Sequence, residues 1–166
     1  MQFNSEQSSD SIFPERIDAE TFCPHGRRED ICQSLIFDIL AGKSLVKLSG
    51  RMGAGKSTLC DVLEERVPIN VRAVVLSGPS GSFEKFFRLV ASAVDGDKRV
   101  TDVQREVSEQ WQQLLANHLA TGSHLLLIID EAEKMFAATL ERLLRLVAEE
   151  AQDAHFTLLL VGRPEL

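Results

Sequence analysis

Eight consecutive residues, Gly50-Arg51-Met52-Gly53-Ala54-Gly55-Lys56-Ser57, restrict the architecture of this chain more than any other stretch. They follow the spacing G-x-x-x-x-G-K-[ST], which needs a strand leading in and a helix leading out. Gly50, Gly53 and Gly55 are expected to let the backbone turn tightly and aim its N–H groups inward. A helix opening at Gly55 would then face an anion with its positive end. In that arrangement Lys56 reaches the β- and γ-phosphates of a nucleotide, and the Ser57 hydroxyl ligates Mg²⁺. Arg51, Met52, Ala54 and Thr58 complete the candidate cofactor-binding segment. The plainer reading is a glycine-rich turn that happens to precede Lys-Ser, and the flanks must separate the two.

The flanks favour the loop. Upstream, residues 44–49 (Ser-Leu-Val-Lys-Leu-Ser) form a short apolar run that fits a buried strand. Downstream, Leu59, Val62, Leu63 and Val67 recur at helical spacing until Pro68 stops them. A second aliphatic run, Leu125-Leu126-Leu127-Ile128-Ile129, ends in two carboxylates, Asp130 and Glu131. A continuous apolar run suits a strand covered on both faces, as in a parallel sheet. An acid at the carboxyl end of such a strand lies where open α/β sheets bind ligands. Asp130 is therefore expected to hold Mg²⁺ together with Ser57, and Glu131 to orient or polarise the attacking water. The plainer reading makes Asp130 only a cap for the helix that follows.

A chain of 166 residues suffices for one domain, and its 44% hydrophobic and 26% charged content is ordinary for a globular protein. The net charge of −7 excludes a global field that draws nucleic acid or anionic lipid, though not a local basic patch or an oligomeric pore. Residues 1–11 are polar with no apolar segment, so no signal peptide is legible, and no run approaches a membrane span. A cytoplasmic location is the expectation. Cys23, Cys32 and Cys60 make an odd set without close spacing, which is not a disulfide framework. Cys23-Pro24-His25 lacks a second ligand pair, and buried or idle thiols are expected instead.

Along the chain, residues 1–20 read as a polar arm and 21–166 as one nucleotide-binding domain. Ile31, Leu35, Ile36, Ile39 and Leu40 give a helical face that Gly42 ends. Residues 71–77 read as a strand, followed by a turn-rich loop through Gly78-Pro79-Ser80-Gly81. Phe83, Phe86, Phe87 and Val90 mark a helix face, most simply core. Thr101 and Gln104 suit a capping box for a helix burying Val103, Val107, Trp111, Leu114 and Leu115. Phe136, Leu140, Leu143, Leu144 and Val147 mark the next helix, with Glu141 and Arg145 as a solvated pair on it. Residues 156–161 are a fourth strand. Strands alternating with helices imply an α/β three-layer sandwich on a parallel sheet, with the fourth strand between the first and third.

These segments together resemble the AAA+ ATPases, and within them the ExeA/GspA-type ATPases of general secretion. Gly50 to Ser57 matches Walker A, and Leu126-Leu127-Ile128-Ile129-Asp130-Glu131-Ala132 matches Walker B. Residues 25–31 look like the entry segment that packs near the adenine, and Phe86 to Ala93 like the family's second helix. Leu158 to Leu166 is close to the family's sensor-1 strand and loop, with Gly-Arg-Pro-Glu-Leu the most family-specific piece. The family more often has Gln where Arg163 stands, so Arg163 either senses the γ-phosphate or faces solvent. The resemblance implies an ATP- and Mg²⁺-dependent hydrolase with Lys56, Glu131 and Arg163 in catalytic roles. It implies a homo-oligomer once lid and arginine fingers are present, both of which the family carries beyond the segment matched here. Residues 1–166 alone are then expected to bind nucleotide with slow or undetectable hydrolysis. It further implies an envelope or secretion partner, and for this chain a cytoplasmic place that can be peripheral to the inner membrane. A DNA-associated helper ATPase and a nucleotide-dependent switch share the same core motifs and stay open, although the charge does not point to DNA.

Overall fold

The computed structural model describes residues 27–78, 81–95, 107–149 and 155–164. Five helices flank a four-stranded sheet in the order α1 (Arg27–Leu40), β1 (Leu45–Ser49), α2 (Lys56–Arg66), β2 (Val71–Ser77), α3 (Phe83–Asp95), α4 (Val107–Leu119), β3 (His124–Asp130), α5 (Ala137–Glu149) and β4 (Phe156–Gly162). A single 3-10 turn, Ala132–Lys134, joins β3 to the start of α5. All pairings are parallel and the spatial order is β1-β4-β3-β2, as the alternation of strands and helices implied.

The period-two alternation of the central strands divides the core into two. Leu125, Leu127 and Ile129 of β3 and Phe156, Leu158 and Leu160 of β4 face α3, α4 and α5. Leu126 and Ile128, with Leu159 and Val161, face α1 and α2. Every residue of β3 and β4 is buried, which is why both read as unbroken aliphatic runs. Trp111 is fully buried between Phe87 and Phe156, with ring centroids 6.1 and 5.7 Å away.

Several sequence expectations shift. β1 is not a buried strand but the edge of the described sheet, where Val46 is buried and Leu45 exposed. On α1 the buried stripe is Cys32, Leu35 and Ile39, with Ile36 partly buried, while Ile31 and Leu40 face outward. The thiol at 32 takes a core position that the sequence reading assigned to larger aliphatics. Phe136 stays outside the α5 stripe and is 60% exposed. Its carbonyl accepts the Thr139 and Leu140 N–H groups at 2.9 and 3.0 Å, so it sits at the cap, where the side chain leaves the helical face. Glu141 and Arg145 are both exposed and no ion pair joins them; it is Arg142 that is engaged, its guanidinium 4.7 Å from the centre of the Phe83 ring. The capping box at Thr101 and Gln104, the polar arm, Pro79-Ser80 and Cys23-Pro24-His25 lie outside the described residues. Among the described residues no helix is long and apolar enough to cross a membrane.

Candidate functional site: the loop and the carboxylates at the end of the sheet

Parallel strands bring all their carboxyl ends to one edge of the sheet, and the loop after β1 and the acids after β3 meet there. Gly50 is anchored to β4 by its N–H, which donates to the Gly162 carbonyl at 3.1 Å. The loop then turns through Gly53 (φ +76) and Gly55 (φ +80), conformations an L side chain resists. Gly50 is different: it carries no positive φ, so the tight turn expected of all three glycines falls on two of them. Gly55 is the N-cap of α2, and its carbonyl accepts the Leu59 N–H at 3.0 Å as the first bond of the helix. Lys56 folds back over the loop and donates to the carbonyls of Gly50 (2.9 Å) and Arg51 (3.0 Å).

Residues 126, 128 and 130 share one face of β3 by strand periodicity, and that face lies against α2. Asp130 is therefore presented to Ser57. The Ser57 hydroxyl donates to Asp130 Oδ2 at 2.5 Å across 73 residues of sequence, and Asp130 Oδ1 accepts the Glu131 N–H at 2.8 Å. The residue at the N-cap of the turn that follows is Glu131, with no side-chain cap bond, so Asp130 does not serve as a helix cap. Glu131 adopts φ +53, ψ +39, a left-handed conformation that costs a non-glycine residue about 1–3 kcal/mol and recurs at functional sites. Its carboxylate pairs with Lys134 Nζ at 2.6 Å.

Arg163, at the end of β4, neither points freely at the site nor simply faces solvent. Its Nε lies 3.3 Å from Glu133 Oε1, its backbone N–H donates to Glu133 Oε2 at 3.3 Å, and Nη2 reaches Met52 Sδ at 3.9 Å. A cavity of about 290 Å³ lies between loop and carboxylates. Gly50, Arg51 and Ala54 do not line it; the other sequence-predicted residues do, joined by Glu133. Glu133 and Lys134 were missed by the sequence reading. The signal was present, since residues 133 and 134 fall on the turn that follows the acids, but a short charged stretch there reads equally as solvated surface.

The donor set suits Mg²⁺. A hydroxyl and a carboxylate are hard oxygen ligands, and Mg²⁺ is commonly held by one or two carboxylates plus substrate phosphates. Among the described residues no group of three or more His, Cys, Asp or Glu could hold a metal unaided. Behind the site, burial pushes the Cys60 thiol up to about 12, helped by the nearby charges of Asp130 and Asp61. Cys60 is a neutral packing residue and not a nucleophile.

A glycine loop between strand and helix, faced by a carboxylate at the end of a neighbouring parallel strand, defines a P-loop protein of the α/β class. Residues 39–166 match the family model of the AAA domain, and the chain belongs to that family. It is similar to General secretion pathway protein A of Aeromonas hydrophila, 27% identical over 148 residues that cover 84% of this chain and 26% of the relative. Among solved structures, Cdc6p from Pyrobaculum aerophilum aligns with a TM-score of 0.61 at 22% identity, covering 95% of this chain and 42% of that one. The Aeropyrum pernix ORC2 protein, solved in ADPNP–ADP complexes, gives 0.57 at 20% identity over 93% of this chain and 44% of its own. These two likenesses speak for the fold. The chain spans about a quarter of the secretion relative and under half of either solved chain.

Proposed function

We propose that this chain is an ATP-hydrolysing AAA+ module in which residues 21–166 form the nucleotide-binding domain. The observation that carries the reading is the hydrogen bond between Ser57 and Asp130, which sets the two expected Mg²⁺ ligands side by side beside the loop. Gly53, Ala54 and Gly55 hold the phosphates through their backbone, and Lys56 leaves its two carbonyl partners for the β- and γ-phosphates. Ser57 and Asp130 hold Mg²⁺, which offsets the phosphate charge when bound. Glu131 accepts a proton from the water it orients once Lys134 releases its carboxylate. Arg163, which lines the same cavity, senses the γ-phosphate by exchanging Glu133 for it. Catalysis in such a site is mostly positioning and charge stabilisation.

The work done with ATP is, in this reading, remodelling or assembly of an envelope complex by an oligomer at the inner membrane. The secretion relative supports it. Equilibrium binding and steady-state turnover test the core of the proposal. Lys56→Ala should abolish ATP binding, while Glu131→Gln should bind ATP as the parent does and lose turnover by at least about a hundredfold. Normal hydrolysis by Glu131→Gln would remove Glu131 from its role. Turnover stimulated by DNA and indifferent to envelope proteins would replace the secretion partner with a nucleic acid.

A further inference from the structure

The first turn of α1 places a cation at the phosphate loop that no Walker motif includes. The guanidinium of Arg28 stands against Gly55: a Cβ at that glycine would lie 3.5 Å from Arg28 Cζ and Nη2 and 3.7 Å from Nη1. Arg28 is exposed, and among the described residues no hydrogen bond or ion pair holds it. Its neighbour Glu29 faces α2, where Oε2 accepts from Arg66 Nη1 at 2.8 Å while Gln33 Nε2 donates to Oε1 at 3.1 Å. Buried Cys32 fixes the next turn of the helix. The start of α1 is thus pinned to α2, with Arg28 beside the helix N-cap.

That position gathers positive charge of the kind that suits an anion. Gly55 opens α2, so the positive end of the helix dipole lies there, and Lys56 follows immediately. Three positive features converge, and Lys56 has only carbonyl oxygens as partners. The backbone of such a loop cradles the α- and β-phosphates, and Arg28 stands beside Gly55 of that loop, just outside the residues that line the cavity. The geometry points to Arg28 as a ligand of the nucleotide's α/β-diphosphate, reaching it from α1 over Gly55. A guanidinium suits the task because its fork of donors matches phosphate oxygens. This assignment rests on the nucleotide-binding reading above, and it also ties occupancy of the site to the position of α1.

Titration calorimetry with Mg-ATP and with ADP on the parent chain, Arg28→Ala, Arg28→Lys and Arg28→Gln tests it. Arg28→Ala and Arg28→Gln should each weaken ATP and ADP about tenfold and by equal factors, since both nucleotides carry the diphosphate. Arg28→Lys should stay within about threefold of the parent, because it keeps the charge. Melting without nucleotide should be the same for all four chains, because Arg28 has no polar partner among the described residues to lose. Unchanged binding by Arg28→Ala overturns the assignment. So does a loss confined to ATP, which would mean a γ-phosphate contact. Tight binding by Arg28→Gln with weak binding by Arg28→Lys would mean stacking on the base, and overturns it equally. A parent chain that binds neither nucleotide removes the nucleotide reading itself, an outcome distinct from the other three.

Discussion

At the scale of single residues, the loop separates glycines that the motif treats alike. Gly53 and Gly55 hold φ of +76 and +80, while at Gly50 a Cβ would meet only ordinary contacts, 3.6 Å from Lys56 Cδ and 3.7 Å from Ala54 Cβ. Replacing Gly53 by alanine puts the new methyl into open space, so the backbone alone is responsible for the cost. Thermal melting should show Gly53→Ala destabilised by about 1–2 kcal/mol and Gly50→Ala by less than half of that. Equal destabilisation by both would mean that the sign of φ does not set the cost. Spacing alone made the loop and its partner acids legible: Lys56, Ser57, Asp130 and Glu131 converge as the sequence implied. The contacts that hold Glu131 and Arg163 were not legible. Lys134 on Glu131 and Glu133 on Arg163 depend on where a 3-10 turn aims two long side chains, and no periodicity encodes that.

At the scale of elements, the strands were easier to read than the helices. Complete burial leaves β3 and β4 no freedom in composition, so both appear as uninterrupted aliphatic runs. Helix α1 is amphipathic around a cysteine, and the edge strand β1 alternates over only five residues, so both faces were assigned too generously. What orients α1 is partly polar. The Glu29–Arg66 pair bridges α1 and α2, and the Arg66 hydrogen bond, helped by Gln33, holds the Glu29 carboxyl below its ordinary value of 4.5. A lowered carboxyl contributes stability that is present above its unfolded-state value and lost as pH falls through the folded one. The melting temperature of Glu29→Gln should therefore lie below that of the parent at pH 7. The gap should close as the pH drops below the ordinary carboxylate range. A gap that persists unchanged at pH 3 would show that the pair is not what links the two helices. The same exposed pair should weaken with added salt, as surface ion pairs do.

At the scale of the whole molecule, the site draws on three of the four strands. The loop leaves the edge strand β1, the acids leave the centre of the sheet, and Arg163 leaves the strand between them. A ligand that bridges these three points binds only the folded chain, so it must stabilise the whole fold and not the loop alone. At a hundredfold excess over its dissociation constant, Mg-ATP adds about 2.7 kcal/mol. For a domain of this size that corresponds to a rise of roughly 5–10 °C in Tm. Trp111 is the natural reporter. It is the only tryptophan in the chain, it is fully buried, and it packs on Phe156 at the far end of β4 from Arg163. Its emission should therefore shift at the same temperature as the loss of helical circular dichroism, with and without nucleotide. Lys56→Ala should melt close to the parent without ligand, because its two bonds to loop carbonyls are exposed or part-buried, and should show no rise with Mg-ATP. If the tryptophan signal and the helical signal separate on adding nucleotide, the two core layers unfold independently. In that case the sheet does not couple the site to the α3–α5 side of the molecule.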